Sequence, residues 1–172
     1  MTESGRTSGR TGNQTAEKIL HLMTELVAIK SRSGTSDENM ASDYIFRYIS
    51  ELEYFKKNKE NCGLWSIDGD PEGRHIPYGL IRGKTENTVI LTGHFDVVGE
   101  FDYGDAGELA CTVGEERENA LRKKTMTEEQ RHDMDSGEWI WAKGAADMKG
   151  GLAIHLALLE EFSQQALRGT LE

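Results

Sequence analysis

The sequence lacks long hydrophobic runs, closely spaced cysteines and an excess of basic residues. No apolar stretch approaches the roughly 20 residues that a membrane-spanning helix requires. The two cysteines, Cys62 and Cys111, lie far apart and outside any CxxC motif, which is typical of reduced thiols. The formal net charge is -10, and an acidic surface repels the phosphates of nucleic acids and anionic lipids. We therefore expect no nucleic acid and no membrane among its partners.

The length allows one domain and not comfortably two. A chain of 172 residues can bury enough surface for a substantial core. Residues 1–14 are rich in Thr, Ser, Gly and Arg and lack the apolar centre that a secretory signal needs. We expect residues 1–14 to form a flexible tail, residues 15–172 to form the folded domain, and the protein to be cytoplasmic.

Hydrophobic patterning predicts three helices. Apolar residues recur every three or four positions in residues 15–29 and 35–52, which places them on one face of each helix. Thr35 followed by Glu38 forms a T-x-x-E capping box, which predicts the start of the second helix. Each of these two amphipathic helices should pack one side against a sheet, and residues 152–165 predict a third, strongly apolar helix.

Short apolar runs predict the strands. Residues 63–67, 76–81 and 139–142 predict short strands, and the compact run at 88–92 predicts a buried central strand. Residues 99–137 form a long polar insert with weak periodicity, and such segments are usually functional or mobile. This order of helices and strands predicts an α/β fold.

His94 and Asp96 follow directly after the predicted central strand. Residues two apart in extended chain point the same way, so the imidazole and the carboxylate can share one face. A histidine can ligate zinc through one nitrogen while a carboxylate fixes the other. The alternative is an H-x-D sequence without a role, and these two residues alone favour that alternative.

Asp147 lies in a glycine-bounded loop just before the third predicted helix. Glycines allow close backbone approach, and a carboxylate can bridge two cations such as zinc. The alternative, an acidic residue that interacts with the helix dipole, explains Asp147 alone about as well. Ligands of α/β folds gather at the carboxyl ends of strands, so we expect His94, Asp96 and Asp147 on the same edge of the sheet.

Together, the two segments resemble the two metal motifs of the M20 metallopeptidase family. T-G-H-F-D-V-V at 92–98 resembles the first motif, and G-A-A-D-M-K-G-G at 144–151 resembles the second, in the same order. The resemblance covers residues 15–172, and within the family H-F-D-V-V-G-E-F-D-Y-G and S-G-E-W resemble the bacterial arginine-utilisation branch. It implies a three-layer αβα zinc-exopeptidase-like catalytic domain, of which this chain would be the amino-terminal portion.

The resemblance also implies a role for each candidate residue. His94 would ligate one zinc ion, Asp147 would bridge two, and Asp96 would be the catalytic residue that supports them. The complete enzyme would hold two zinc ions, with cobalt and manganese as alternatives, and would hydrolyse a peptide or an N-acyl amino acid in arginine or amino acid catabolism. For the full-length protein, the resemblance also allows a homodimer.

The sequence departs from the family in one respect. The family places its general-base glutamate and further zinc ligands downstream, and the Glu-Glu pairs at 115–116, 128–129 and 160–161 do not occupy that place. The alternative is therefore a truncated or degenerate, non-catalytic family member that binds metal weakly or not at all. A third hypothesis, a scaffold protein that uses the polar insert 99–137, rests on composition alone.

Overall fold

The computed structural model describes the backbone of residues 4–171 and the side chains of residues 14–171, apart from those at 102, 105 and 106. Six α-helices are present in this part of the chain: α1 (Ser4–Ala28), α2 (Glu38–Glu51), α3 (Glu53–Lys57), α4 (Glu115–Arg122), α5 (Glu128–Ser136) and α6 (Gly150–Arg168). Shorter helical turns span Lys59–Asn61, Phe101–Leu109 and Ala145–Lys149. None of the helices in the described part combines the length and the apolarity that crossing a bilayer requires.

Two strands form one antiparallel hairpin. In it, β1 (Cys62–Ser66) pairs with β2 (His75–Gly79), so that Cys62 lies opposite Gly79. In the turn between them, the carboxylate of Asp70 accepts a hydrogen bond from the backbone amide of Arg74 at 2.7 Å. It also forms an ion pair with the guanidinium of Arg74, at 2.5 Å. These hydrogen bonds to Arg74 lower the pKa of Asp70 to about 2.

The core lies among α1, α2, α3 and α6. Its buried side chains recur at helical spacing, which gives each helix one apolar face. The core residues are Leu22, Met23, Leu26, Val27, Ile45, Ile49, Tyr54, Phe55, Ala153, Leu156 and Ala157. The three helices and the two strands predicted at 63–67 and 76–81 are thus confirmed.

The structure corrects the predicted start of the first helix. The helix α1 begins at Ser4 rather than near Thr15, so residues 4–14 of the expected tail are helical, while residues 1–3 lie outside the described part. Each residue that joins an existing helix adds a backbone hydrogen bond without a new nucleation cost. A helix nucleated by the packed segment can therefore extend into polar sequence.

The capping box predicted at Thr35 does not form. The helix α2 begins at Glu38, close to the prediction, with Asp37 as its N-cap and no side-chain cap. The carboxylate of Glu38 instead accepts a hydrogen bond from the amide of Gly34 at 2.6 Å and one from Arg74 at 3.1 Å. These partners hold Glu38 away from the amide that a capping box would use.

The predicted strands at 88–92 and 139–142 are wrong. Both segments are irregular, and neither pairs with a strand anywhere in residues 4–171. The side chains of Val89 and Ile90 are 85% and 81% exposed. An apolar run indicates a tendency to be buried, but a strand also requires neighbours for its backbone amides and carbonyls. The polar insert 99–137, in contrast, contains two short helices, α4 and α5.

Candidate functional site

The segment that carries His94 and Asp96 lies along the loop that follows α1. The amide of Val97 donates to the carbonyl of Ser31 at 2.8 Å, and the amide of Ser33 donates to the carbonyl of Val97 at 3.0 Å. Because Val97 is hydrogen-bonded through both its amide and its carbonyl, the position and the direction of its segment relative to the loop are fixed. The loop after α1 therefore sets where the side chains of His94 and Asp96 begin.

Two glycines allow the second segment to approach the first. Gly144 has a φ of 75°, and a Cβ at this residue would lie 2.5 Å from Cγ1 of Val97. A Cβ at Gly93 would lie 2.7 Å from Cε of Met148, the neighbour of Asp147. The absence of side chains at both glycines brings the turn with Asp147 against the segment with His94.

His94 and Asp147 meet although they are 53 positions apart. The distance from Nε2 of His94 to Oδ1 of Asp147 is 2.8 Å. The other ring nitrogen, Nδ1, lies 3.2 Å from the carbonyl oxygen of Asp96 and 3.2 Å from its Oδ1. The structure thus brings the three predicted site residues together, and their roles remain predictions.

Oxygen atoms face both nitrogens of the His94 ring. The hydrogen bond to Asp147 raises the pKa of His94 above its ordinary value, and the acceptors of Asp96 act in the same direction. A proton between Nε2 and Oδ1 satisfies both atoms in the absence of a metal ion. A metal ion would replace this proton, because a zinc ligand must present an unprotonated nitrogen.

The pair is accessible from solvent. The side chain of Asp147 is 87% exposed and that of His94 is 48% exposed. Zinc takes nitrogen and oxygen ligands at about 2.0–2.2 Å, so a shared ion requires the two atoms to separate by a few tenths of an ångström. Exposed side chains can make this adjustment, and the two residues fit part of a zinc ligand set.

The ligand set is incomplete. Among the side chains that the structure describes, which exclude Asp102 and Asp105, no group of three or more His, Cys, Asp or Glu is gathered in a way that could hold a metal ion. A catalytic zinc site usually has three protein ligands. The described part of the chain therefore offers two candidate ligands, His94 and Asp147.

Lys149 is a residue of this site that the sequence did not single out. It lies two residues after Asp147, is fully buried, and donates from Nζ to the carbonyl of Ile29 at 2.6 Å. Burial disfavours the ammonium form and lowers the pKa of Lys149 to about 8. The hydrogen bond ties the turn that carries Asp147 to the end of α1.

Lys143 connects the same turn to the polar insert. Its side chain is buried, and Nζ lies 3.5 Å from Oε1 of Glu100. Burial by itself would raise the pKa of Glu100, but the charge and contact of Lys143, a backbone hydrogen bond and the charge of Lys30 together outweigh this effect, and the pKa is lowered. The backbone amide of Lys143 also donates to the carbonyl of Ala110 at 2.8 Å. The insert thus contacts the second segment directly.

Two proteins of Bacillus subtilis (strain 168) are similar to this chain. It is 34% identical to YqjN over 160 residues, which cover 92% of this chain and 29% of YqjN. It is 35% identical to RocB over 151 residues, which cover 87% of this chain and 26% of RocB.

The chain therefore spans less than a third of the length of either relative. No family model matches it. No solved structure matches it either. The two sequence identities show that the chain is a distant homologue of YqjN and RocB.

Proposed function

We propose that this chain carries the first ligands of the metal site of an M20-type hydrolase, within the amino-terminal portion of an αβα catalytic domain. The single observation that supports the proposal most is the 2.8 Å distance between Nε2 of His94 and Oδ1 of Asp147. These residues belong to the two motifs that resemble the M20 metal motifs. The fold brings these two side chains into contact although they are 53 positions apart.

The residues of this chain prepare the site for a cation. Oxygen acceptors on Asp96 favour a proton on Nδ1 of His94, which leaves Nε2 free to bind a metal ion. The exposed carboxylate of Asp147 would hold the same ion together with His94. A zinc ion bound there would supply Lewis-acid chemistry toward an amide carbonyl and the attacking water.

The substrate class that we propose is a peptide or an N-acyl amino acid, cleaved at an amide bond in arginine or amino acid catabolism. This part of the proposal rests on the resemblance of residues 94–104 and 136–139 to the arginine-utilisation branch. The relation to RocB and YqjN is consistent with it.

A second candidate function follows from the incomplete ligand set. Two candidate ligands among the described residues would hold a metal ion less firmly than three. Alone, this chain would then be a non-catalytic relative that binds metal weakly or not at all. The two candidates differ in how firmly the chain holds zinc through His94 and Asp147 and in whether it hydrolyses an amide.

The test is to measure zinc binding by the chelator-treated chain with calorimetry. We expect His94→Gln and Asp147→Asn each to remove most of the binding, because each variant deletes one ligand. The matched controls are His132→Gln and Asp68→Asn, which change the same residue types at exposed positions. Binding that survives in both site variants, or that is lost equally in the controls, would contradict the assignment.

Hydrolysis of N-acyl amino acids by the zinc-loaded chain separates the two candidates. Turnover above that of free zinc, abolished by Asp147→Asn, supports an enzyme. Zinc binding through His94 and Asp147 without turnover supports the non-catalytic candidate.

A further inference from the structure

The loop after α1 contacts both segments of the proposed site. On one side, Nζ of Lys149 donates to the carbonyl of Ile29 at 2.6 Å. On the other side, the hydroxyl of Ser31 donates to the carbonyl of Phe95 at 2.5 Å. The backbone of residues 29–33 is therefore fixed relative to both segments, independently of any metal ion.

Ser33 uses this fixed backbone to reach Asp96. Its hydroxyl donates to Oδ2 of Asp96 at 2.6 Å. The other carboxylate oxygen, Oδ1, faces Nδ1 of His94 at 3.2 Å. One carboxylate is thus contacted through both of its oxygens, by Ser33 on one side and by the His94 ring on the other.

We propose that Ser33 is a positioning residue that holds the carboxylate of Asp96 against Nδ1 of His94. The proposal rests on the proposed function, because the ring it orients is the candidate zinc ligand. The carboxylate of Asp96 is only partly buried, and without this hydrogen bond it can rotate away from the ring. With it, the neutral ring keeps its proton on Nδ1, so that Nε2 can give up the proton it shares with Asp147 and present its lone pair to a metal ion.

The contribution of Ser33 is separable from the fold. Its backbone amide makes the hydrogen bond to Val97 that fixes the segment, and this bond does not need the hydroxyl. Since Ser33 is exposed, removing its hydroxyl leaves no cavity and no buried unpaired group. Ser33→Ala should therefore unfold at nearly the same denaturant concentration as the wild type.

The first readout is metal affinity. We expect Ser33→Ala to weaken zinc binding about tenfold, as the loss of a residue that orients a ligand typically does. Ser33→Thr keeps the hydroxyl and should restore the affinity. The control is Ser36→Ala, at an exposed serine in the same loop that contacts Glu72 and Asn39 through its backbone amide and carbonyl. Equal affinity in the wild type and Ser33→Ala would overturn the proposal.

The second readout needs no metal ion. In the Asp147→Ala background, which removes the acceptor facing Nε2, nitrogen NMR at alkaline pH reports which nitrogen of the neutral His94 ring carries the proton. The signal is assigned by its loss in His94→Gln. We expect a dominant Nδ1–H form with Ser33, a fall of that form in Ser33→Ala, and its return in Ser33→Thr.

The two readouts distinguish the two proposals. An unchanged Nδ1–H fraction in Ser33→Ala overturns the role of Ser33 even if the wild type binds zinc through His94 and Asp147. A wild-type chain that binds no zinc contradicts the proposed function, and the proton distribution on His94 still decides the role of Ser33.

Discussion

Replacement of Gly144 by alanine should strongly destabilise the contact between the two site segments. The φ of 75° at Gly144 costs a residue with a Cβ about 1–2 kcal/mol. The added Cβ would also lie 2.5 Å from Cγ1 of Val97, and such overpacking costs about 1–3 kcal/mol. The expected loss in the free energy of unfolding is therefore about 2–5 kcal/mol, a large part of the stability of an ordinary domain.

Urea denaturation followed by circular dichroism measures this loss. The matched control is Gly137→Ala, because Gly137 has a similar φ of 69° but open space where its Cβ would be. The control should lose only the conformational part, about 1–2 kcal/mol. Gly144→Ala should exceed it by about 1–3 kcal/mol.

The zinc affinity of the two variants gives an independent comparison. Movement of Val97 displaces the segment with His94, so Gly144→Ala should bind zinc less tightly, whereas Gly137→Ala should bind like the wild type. If both variants were equally destabilised and bound zinc equally well, the close approach at Gly144 would not be what holds the site together.

Two further predictions concern the fold. Leu26 is fully buried in the core, so Leu26→Ala should lower the free energy of unfolding by about 2–5 kcal/mol. The control Leu20→Ala, at a residue 46% exposed, should lower it far less. Similar losses in urea denaturation would contradict the assigned core. For Asp70, whose pKa of about 2 lies below its ordinary 3.8, the bond to Arg74 adds stability above about pH 4 that is lost as the pH falls toward 2. Asp70→Asn should lack this part of the acid transition in pH-dependent melting, and parallel profiles would refute the effect.

Helices were predictable because their signal is local. The apolar spacing that predicts α1, α2 and α6 depends only on the residues of each segment, and the same holds for the turn residues between β1 and β2. The start of α1 was not predictable in this way, because polar residues such as those at 4–14 accept either helix or coil. The strand expected at 88–92 failed for another reason: pairing depends on a neighbour that the segment itself does not specify.

The sequence predicted the residues of the candidate site but not the residues that hold them in place. The two motifs named His94, Asp96 and Asp147, and the structure places Asp96 and Asp147 within hydrogen-bonding distance of the His94 ring. Ser33 and Lys149 act through contacts across 63 and 120 positions, which no local pattern encodes.

The central claim is that His94 and Asp147 share one cation, and anomalous diffraction from zinc-soaked crystals tests it most directly. The account predicts an anomalous peak about 2.0–2.2 Å from both Nε2 of His94 and a carboxylate oxygen of Asp147, with these two atoms farther apart than their present 2.8 Å. A peak bound elsewhere, or no peak with the 2.8 Å contact unchanged at saturating zinc, would contradict it.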